Sequence, residues 1–200
     1  MFGSSSIGIF LLIIHILSSI TVGIFFRFWK SKNSSEIISK NINSISDKKI
    51  SFANLGETIA NAVSSATSTV LMIGGFVVIF SVIISILYES NFLKLFTFVL
   101  FPAFEFLRIP PTFISPLITG ILEITNGIAQ ISNIITKDIS FNIVLTSFLL
   151  GIGGVSVLLQ VFSITSKTDL SIKPYVIGKV LQGFISAFYA FAFLKVFPVF

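Results

Sequence analysis

The sequence predicts an all-α integral membrane protein with about five transmembrane helices and two discontinuous or re-entrant elements, from three observations. The first is composition: 54% of the 200 residues are hydrophobic and only 10% are charged, with a mean hydropathy of +1.02. A soluble domain carries about 25% charged residues, so this chain has too little polar material to cover a water-facing surface. The second is that residues 1–26, 58–88 and 139–166 contain no Asp, Glu, Lys or Arg. Each run exceeds the roughly 20 residues that a helix needs to cross about 30 Å of hydrocarbon. The third is that two later apolar segments are interrupted by Pro, Gly and polar residues, which a straight helix does not favour. Continuous apolar runs such as Val77-Val78-Ile79-Phe80 also lack the alternation of a membrane β-barrel.

Composition excludes several function classes. With no cysteine, disulfides and thiolate metal sites are ruled out. The net charge of +5 sits in short polar intervals, where it reports membrane orientation and not nucleic-acid binding. No HExxH, GxSxG or Walker loop occurs, so the sequence points to no enzyme, cofactor or metal. The first apolar run lacks the basic start of a cleaved signal peptide; Arg27, Lys30 and Lys32 follow it instead.

Taken in order, the first helix is expected over residues 7–29, with Phe25, Phe26, Arg27, Phe28, Trp29 and Lys30 as an interfacial anchor. A polar loop at 31–51 follows. Its lysines place it in the cytoplasm and the N-terminus outside. Phe52, Leu55, Ile59 and Val63 recur at helical spacing and predict an amphipathic lead-in along the interface. A second span is expected over 68–88, where Gly74-Gly75 and Ser81/Ser85 would let another helix approach closely. A third, short span covers 92–107 with Pro102 as a kink, and the last helix covers 175–197.

The two interrupted segments carry the candidate chemistry. Residues 111–137 contain Pro116, Gly120 and Asn126-Gly127, with Glu123 between uncharged flanks. An ionisable residue there is costly in lipid and is a functional hypothesis by default. Glu123, Thr125, Asn126 and Gly127 are therefore candidate substrate-binding residues, with Glu123 able to bind a cation, carry a proton or accept hydrogen bonds. Residues 140–165 contain Gly151, Gly153 and Gly154, followed by Ser156 and Gln160 one turn apart. A broken membrane helix frees backbone groups that are tolerated only beside protein or a wet cavity. Transporters aim such half-helix N-termini at anionic substrates. Gly153, Gly154, Ser156 as an N-cap, and Gln160 complete the candidate site. His15, with no carboxylate near it in sequence, reads as a hydrogen-bonded packing residue.

These motifs, Gly151-Ile-Gly-Gly-Val-Ser-Val-Leu-Leu-Gln160 with Thr168-Asp169 and Lys173-Pro174-Tyr175, together with 73–81 and 120–127, resemble the sporulation integral membrane protein family of the YlbJ type. Its members carry nucleoside-recognition (Gate) domains. The opening, with His15, Val22-Gly23 and Phe26-Arg27-Phe28, resembles the end of that family's first half. The resemblance implies half of an inverted-repeat transporter. Residues 1–30 would be the first transmembrane helix, closing a first repeat that is absent here; 31–51 would be the loop and 52–200 a Gate-like membrane domain. It implies transport of a small anionic metabolite, with dipicolinate suggested, across a cell membrane around the developing spore. The implied partners are that small molecule, the lipid bilayer, and a second chain or copy supplying the other repeat, with no nucleic acid. The rival reading is a non-transporting membrane protein that docks a partner needed for sporulation.

In the loop at 31–51, Lys32, Lys40, Lys48 and Lys49 outnumber Glu36 and Asp47. Single cysteines placed there should react with a membrane-impermeant maleimide only from the cytoplasmic side; labelling of intact cells would reverse the orientation.

Overall fold

Hydrocarbon offers no water to pair with backbone N–H and C=O groups, and a helix bonds them within its own segment. The computed structural model describes residues 3–27, 55–106, 108–136, 138–166 and 168–197, and every regular element among them is helical. The loop at 31–51, Phe28, Trp29, Lys30 and Phe52 lie outside the described residues. The elements are α1 (Ser5–Arg27), α2 (Leu55–Glu89), α3 (Phe92–Phe106), a 3-10 turn (Pro111–Phe113), α4 (Ile114–Leu122), α5 (Ile124–Asn133), α6 (Ser140–Ile152), α7 (Gly154–Thr165) and α8 (Lys173–Val196).

Four stretches are long and apolar enough to cross a membrane: α1, α2, α6 with α7, and α8. Two expectations need correction. The third predicted span is α3, whose 15 residues reach about 22 Å, short of the roughly 30 Å of hydrocarbon. The amphipathic lead-in is not a separate interfacial helix, because α2 runs unbroken for 35 residues, about 52 Å. No proline interrupts it, and glycines weaken a helix without removing its hydrogen bonds. A Cβ added at Gly74 or Gly75 would meet nothing within 4 Å, so the expected close helix approach is not made there by the described residues.

Side-chain packing forms two cores that share α6. Leu93 and Phe104 of α3 pack with Phe113, Ile114, Ile131 and Leu149 in one. Ile7 and Ile14 of α1 pack with Ile143, Ala190 and Leu194 in the other. Of the most apolar 18-residue window in α6–α7, 56% is buried, against 11% for that of α2, whose exposed residues from Val70 onward are mostly apolar. Polar ties fasten α8 to α1. Ser186 Oγ donates to Ser18 Oγ at 2.7 Å, Gln182 Nε2 donates to Ser19 Oγ at 2.6 Å, and Thr21 and Tyr189 share a hydrogen bond of 2.9 Å. Each such tie contributes about 0.6 kcal/mol in a membrane bundle. Between α6 and α8 the backbones nearly touch: a Cβ at Gly151 would lie 2.5 Å from Gly183 Cα.

The segment at 111–137 folds back on itself. A Cβ at Gly127 would lie 2.1 Å from Gly120 Cα and 3.0 Å from the Pro116 carbonyl oxygen, so α4 and α5 form a tight antiparallel pair. Helices of 9 and 10 residues span about 14 and 15 Å, half the hydrocarbon depth, so neither crosses it and the pair has the dimensions of a re-entrant hairpin. The turn lies at Glu123, one helical turn before the expected Asn126-Gly127 position. Those two residues are inside α5, and Gly127 serves close packing where a turn was expected.

The chain's lack of cysteine makes single-cysteine labelling clean. Arg108→Cys and Asp138→Cys, which flank the hairpin, should be labelled from one side of the membrane, and Asp169→Cys, beyond α7, from the other. Labelling of positions 108 and 138 from opposite faces would mean that the hairpin spans.

Candidate functional site: two helix breaks in contact

At the hairpin turn Glu123 adopts extended backbone (φ −143°, ψ 116°) and caps α5. Its side chain is 1% exposed. One carboxyl oxygen accepts from Thr125 N at 3.0 Å and the other from Asn126 N at 2.7 Å. A helix start leaves N–H groups without intrahelical partners, and Glu123 satisfies two of them where no water can. Glu123 N in turn donates to Thr119 O at 2.7 Å, closing the end of α4. The far end of α5 is closed by Asn142 of α6, whose Nδ2 donates to Ile131 O at 2.8 Å and Ile134 O at 2.9 Å. The hairpin is also tied to α2. Asn126 Nδ2 donates to Ser81 Oγ at 2.9 Å, and the Tyr88 hydroxyl donates to Gln130 Oε1 at 2.8 Å.

The second break lies between α6 and α7. Gly153 (φ 83°, ψ −8°) and Gly154 (φ 76°) both occupy the left-handed region, where a side chain would be strained. Gly153 N donates to Leu149 O at 2.8 Å, ending α6, and α7 then starts with no side-chain cap. Ser156, expected to be that cap, is instead the third residue of α7. Its Oγ accepts from Gln160 Nε2 at 3.3 Å, and both residues are buried. The cap position fell to Gly153 because the chain needs a positive φ there, which serine adopts poorly.

The two breaks meet. A Cβ at Gly154 would lie 3.2 Å from Gly120 O, 3.4 Å from Ile121 O and 3.5 Å from Ile124 N. On the other side of the link, a Cβ at Gly153 would lie 3.3 Å from Lys179 Cε and 3.7 Å from Lys179 Nζ. The ammonium also donates to Gln182 Oε1 at 3.0 Å. The positive end of α7 therefore lies between the C-terminal carbonyls of α4 and a lysine two turns into α8.

Of the residues expected at the site, Gly153 and Gly154 pack against the hairpin turn whose cap is Glu123, and Gly127 holds that hairpin closed. The side chains separate into two sets. Glu123 bonds within α5 and Asn126 reaches α2, whereas Ser156 and Gln160 bond to each other. Thr125 is exposed. Glu123 and Ser156 are each 1% exposed, so neither faces lipid.

Lys179, Gln182 and Asn142 escaped the sequence reading. The signal for Lys179 was available, because it is the single charged residue in the stretch 174–194. His15 also departs from expectation: its Nδ1 is buried without a hydrogen-bond partner.

Comparison with known proteins agrees with this architecture. Residues 70–168 match the Gate family, described as nucleoside recognition, a region that includes both breaks. The chain is similar to the sporulation integral membrane protein YlbJ of Bacillus subtilis strain 168, at 30% identity over 210 aligned residues. That alignment covers 97% of this chain and 50% of the relative, so the chain spans about half the length of the curated protein it matches. No solved structure gives a significant match. The resemblance drawn from the glycine motifs is thereby borne out.

Glu123 accepts two backbone N–H groups with two oxygens, and a glutamine has only one oxygen to offer. Glu123→Gln should lower thermal stability in detergent by about 1 kcal/mol or more, the cost of a lost cap bond in a buried place, while Glu123→Asp should retain most of it. Equal melting of all three proteins would show that the cap is dispensable.

Proposed function

We propose, with a Gate domain at residues 70–168 as the premise, that this chain is a membrane transporter or half of one, moving a small anionic metabolite during spore formation. The observation that carries the reading is Lys179 beside Gly153, at the uncapped positive end of α7 and within a membrane-spanning segment. A lysine in a span is costly unless something compensates its charge. Gln182 offers a neutral oxygen at 3.0 Å, which leaves the charge itself for a ligand to balance.

A helix start without a side-chain cap and an ammonium beside it together favour an anion. The flexible lysine stem and the Gly153-Gly154 link allow carboxylates to approach the backbone without a Cβ in the way. A dicarboxylate such as dipicolinate offers one charge to each positive feature. The sporulation context comes from the relative, a sporulation integral membrane protein. In inverted-repeat transporters the site lies between two repeats, and alternating access rocks one against the other. The second repeat comes from elsewhere in the same protein or from a second chain or copy. The chemistry is binding and passage, with no bond made or broken.

Binding should be measured with the full chain in nanodiscs, using labelled dipicolinate, its neutral diamide and uncharged nucleosides. Dipicolinate should bind, the diamide should not, and Lys179→Gln should weaken dipicolinate by about tenfold or more, since hydrogen bonds to charged groups are worth about 1.5–3 kcal/mol. Equal binding of acid and diamide, or an unaffected Lys179→Gln variant, would overturn the anion reading. It would leave the partner-docking role ahead.

A further inference from the structure

A pocket lies among α1, α5 and α6, away from both breaks. Its volume is about 580 Å³, within the roughly 300–1,000 Å³ usual for small-molecule sites, and no residue of either break lines it. Gly8, Leu11 and His15 contribute from α1, Ile128 from α5, and Thr146 and Leu150 from α6. None of its lining residues is Asp, Glu, Lys or Arg.

Two polar atoms on these walls lack partners: His15 Nδ1 and Thr146 Oγ1. Thr146 is 1% exposed, so water at the protein surface does not satisfy it. The neighbouring hydroxyls behave differently. Ser147 donates to Ile143 O at 2.9 Å and Thr21 to Leu17 O at 2.9 Å, each using the carbonyl four residues back. Thr146 makes no such bond. A buried hydroxyl without a partner costs about 1–3 kcal/mol, and native structures rarely leave one unexplained. Here the two orphans belong to residues of facing helices that line one cavity, so a rotation of each side chain would bring them to it.

We infer that this cavity binds a small uncharged molecule with an apolar body and one hydroxyl or amide group. The aliphatic walls of Leu11, Ile128 and Leu150 take the body. Thr146 and His15 turn to the polar group, which needs both donor and acceptor character to satisfy them. With no charged side chain in the lining, the pocket rejects ions. In that respect it is the opposite of the lysine-flanked break.

The test uses the full chain in phosphatidylcholine nanodiscs and fluorine NMR of three reporters: 4-fluorophenol, 4-fluorotoluene and 4-fluorobenzoate. Saturable binding is expected for 4-fluorophenol and none for 4-fluorobenzoate. Thr146→Val keeps the shape of the wall and removes the hydroxyl. It should weaken 4-fluorophenol roughly three- to tenfold and leave 4-fluorotoluene unchanged. Gly8 has open space where its Cβ would be, so Gly8→Leu should fold, fill the pocket and abolish binding of every reporter. Equal affinity for fluorotoluene and fluorophenol, both indifferent to Thr146→Val, would mean an apolar crevice for lipid chains. That result, binding that survives Gly8→Leu, or no saturable binding at all, overturns the proposal.

Discussion

A helix that breaks inside hydrocarbon frees N–H and C=O groups, and each one left unpaired costs several kcal/mol. The rest of the structure is arranged around meeting that cost twice. At the hairpin turn the solution is a side chain: Glu123 gives one oxygen to each of two N–H groups, and Asn142 closes the other end of the same short helix. At the second break the solution is conformational, because two left-handed glycines let α6 terminate on its own Leu149 carbonyl. The positive end of α7 that results is placed against the carbonyls that end α4. Neither break would be tolerable facing lipid. Each forms part of the other's surroundings.

Close backbone contact is what makes that mutual burial possible, and glycine is its instrument. Gly120 meets Gly127 within the hairpin, and Gly151 meets Gly183 between α6 and α8. Any side chain at these positions would force apart elements whose polar ends depend on staying together. This also explains why α6 belongs to both cores: it presses the hairpin on one side and the α1–α8 pair on the other. By contrast α2 is held to the hairpin chiefly by the polar contacts of Ser81 and Tyr88, and most of its length is exposed. The scaffold is therefore uneven, with a tightly packed break region and a loosely attached long helix.

The membrane class was legible because charge-free runs have one physical meaning at this length. The break at Gly153-Gly154 was legible because a cluster of three glycines, Gly151, Gly153 and Gly154, disfavours a continuous helix. The hairpin turn was misplaced by one helical turn because Asn-Gly is a strong turn signal in water. Here Gly127 provides space and Asn126 reaches across to Ser81, both from within a helix. Glu123 was recognised as unusual, but its partners are its own helix's N–H groups, which no spacing rule reveals. Lys179 was overlooked although it is the single charged residue in 174–194, because no polar motif surrounds it. Only the fold brings it to Gly153. The orphaned hydroxyl of Thr146 was invisible for a deeper reason: a missing hydrogen bond is a property of packing, and sequence carries no sign of it.

Charge placement gives the break region its polarity. Glu123 brings its carboxyl to the start of α5, where the helix field favours a negative group. Lys179 lies near the start of α7, where the same field disfavours a positive group, and an isolated lysine would be expected to avoid that place. Its amide partner Gln182 is committed at the same time to Ser19 of α1, so it fixes the lysine's position without neutralising it. A fold that needed only structural integrity would gain by replacing Lys179 with an apolar residue, as buried charges are often exchanged for hydrophobic side chains at no loss of stability. On the anion-transport reading proposed above, a cation held beside the positive end of a helix makes sense if an anion binds to both. That anion would be held by both and would relieve the repulsion as it binds. On that reading, the unfavourable placement of Lys179 is part of what would select the sign of the ligand.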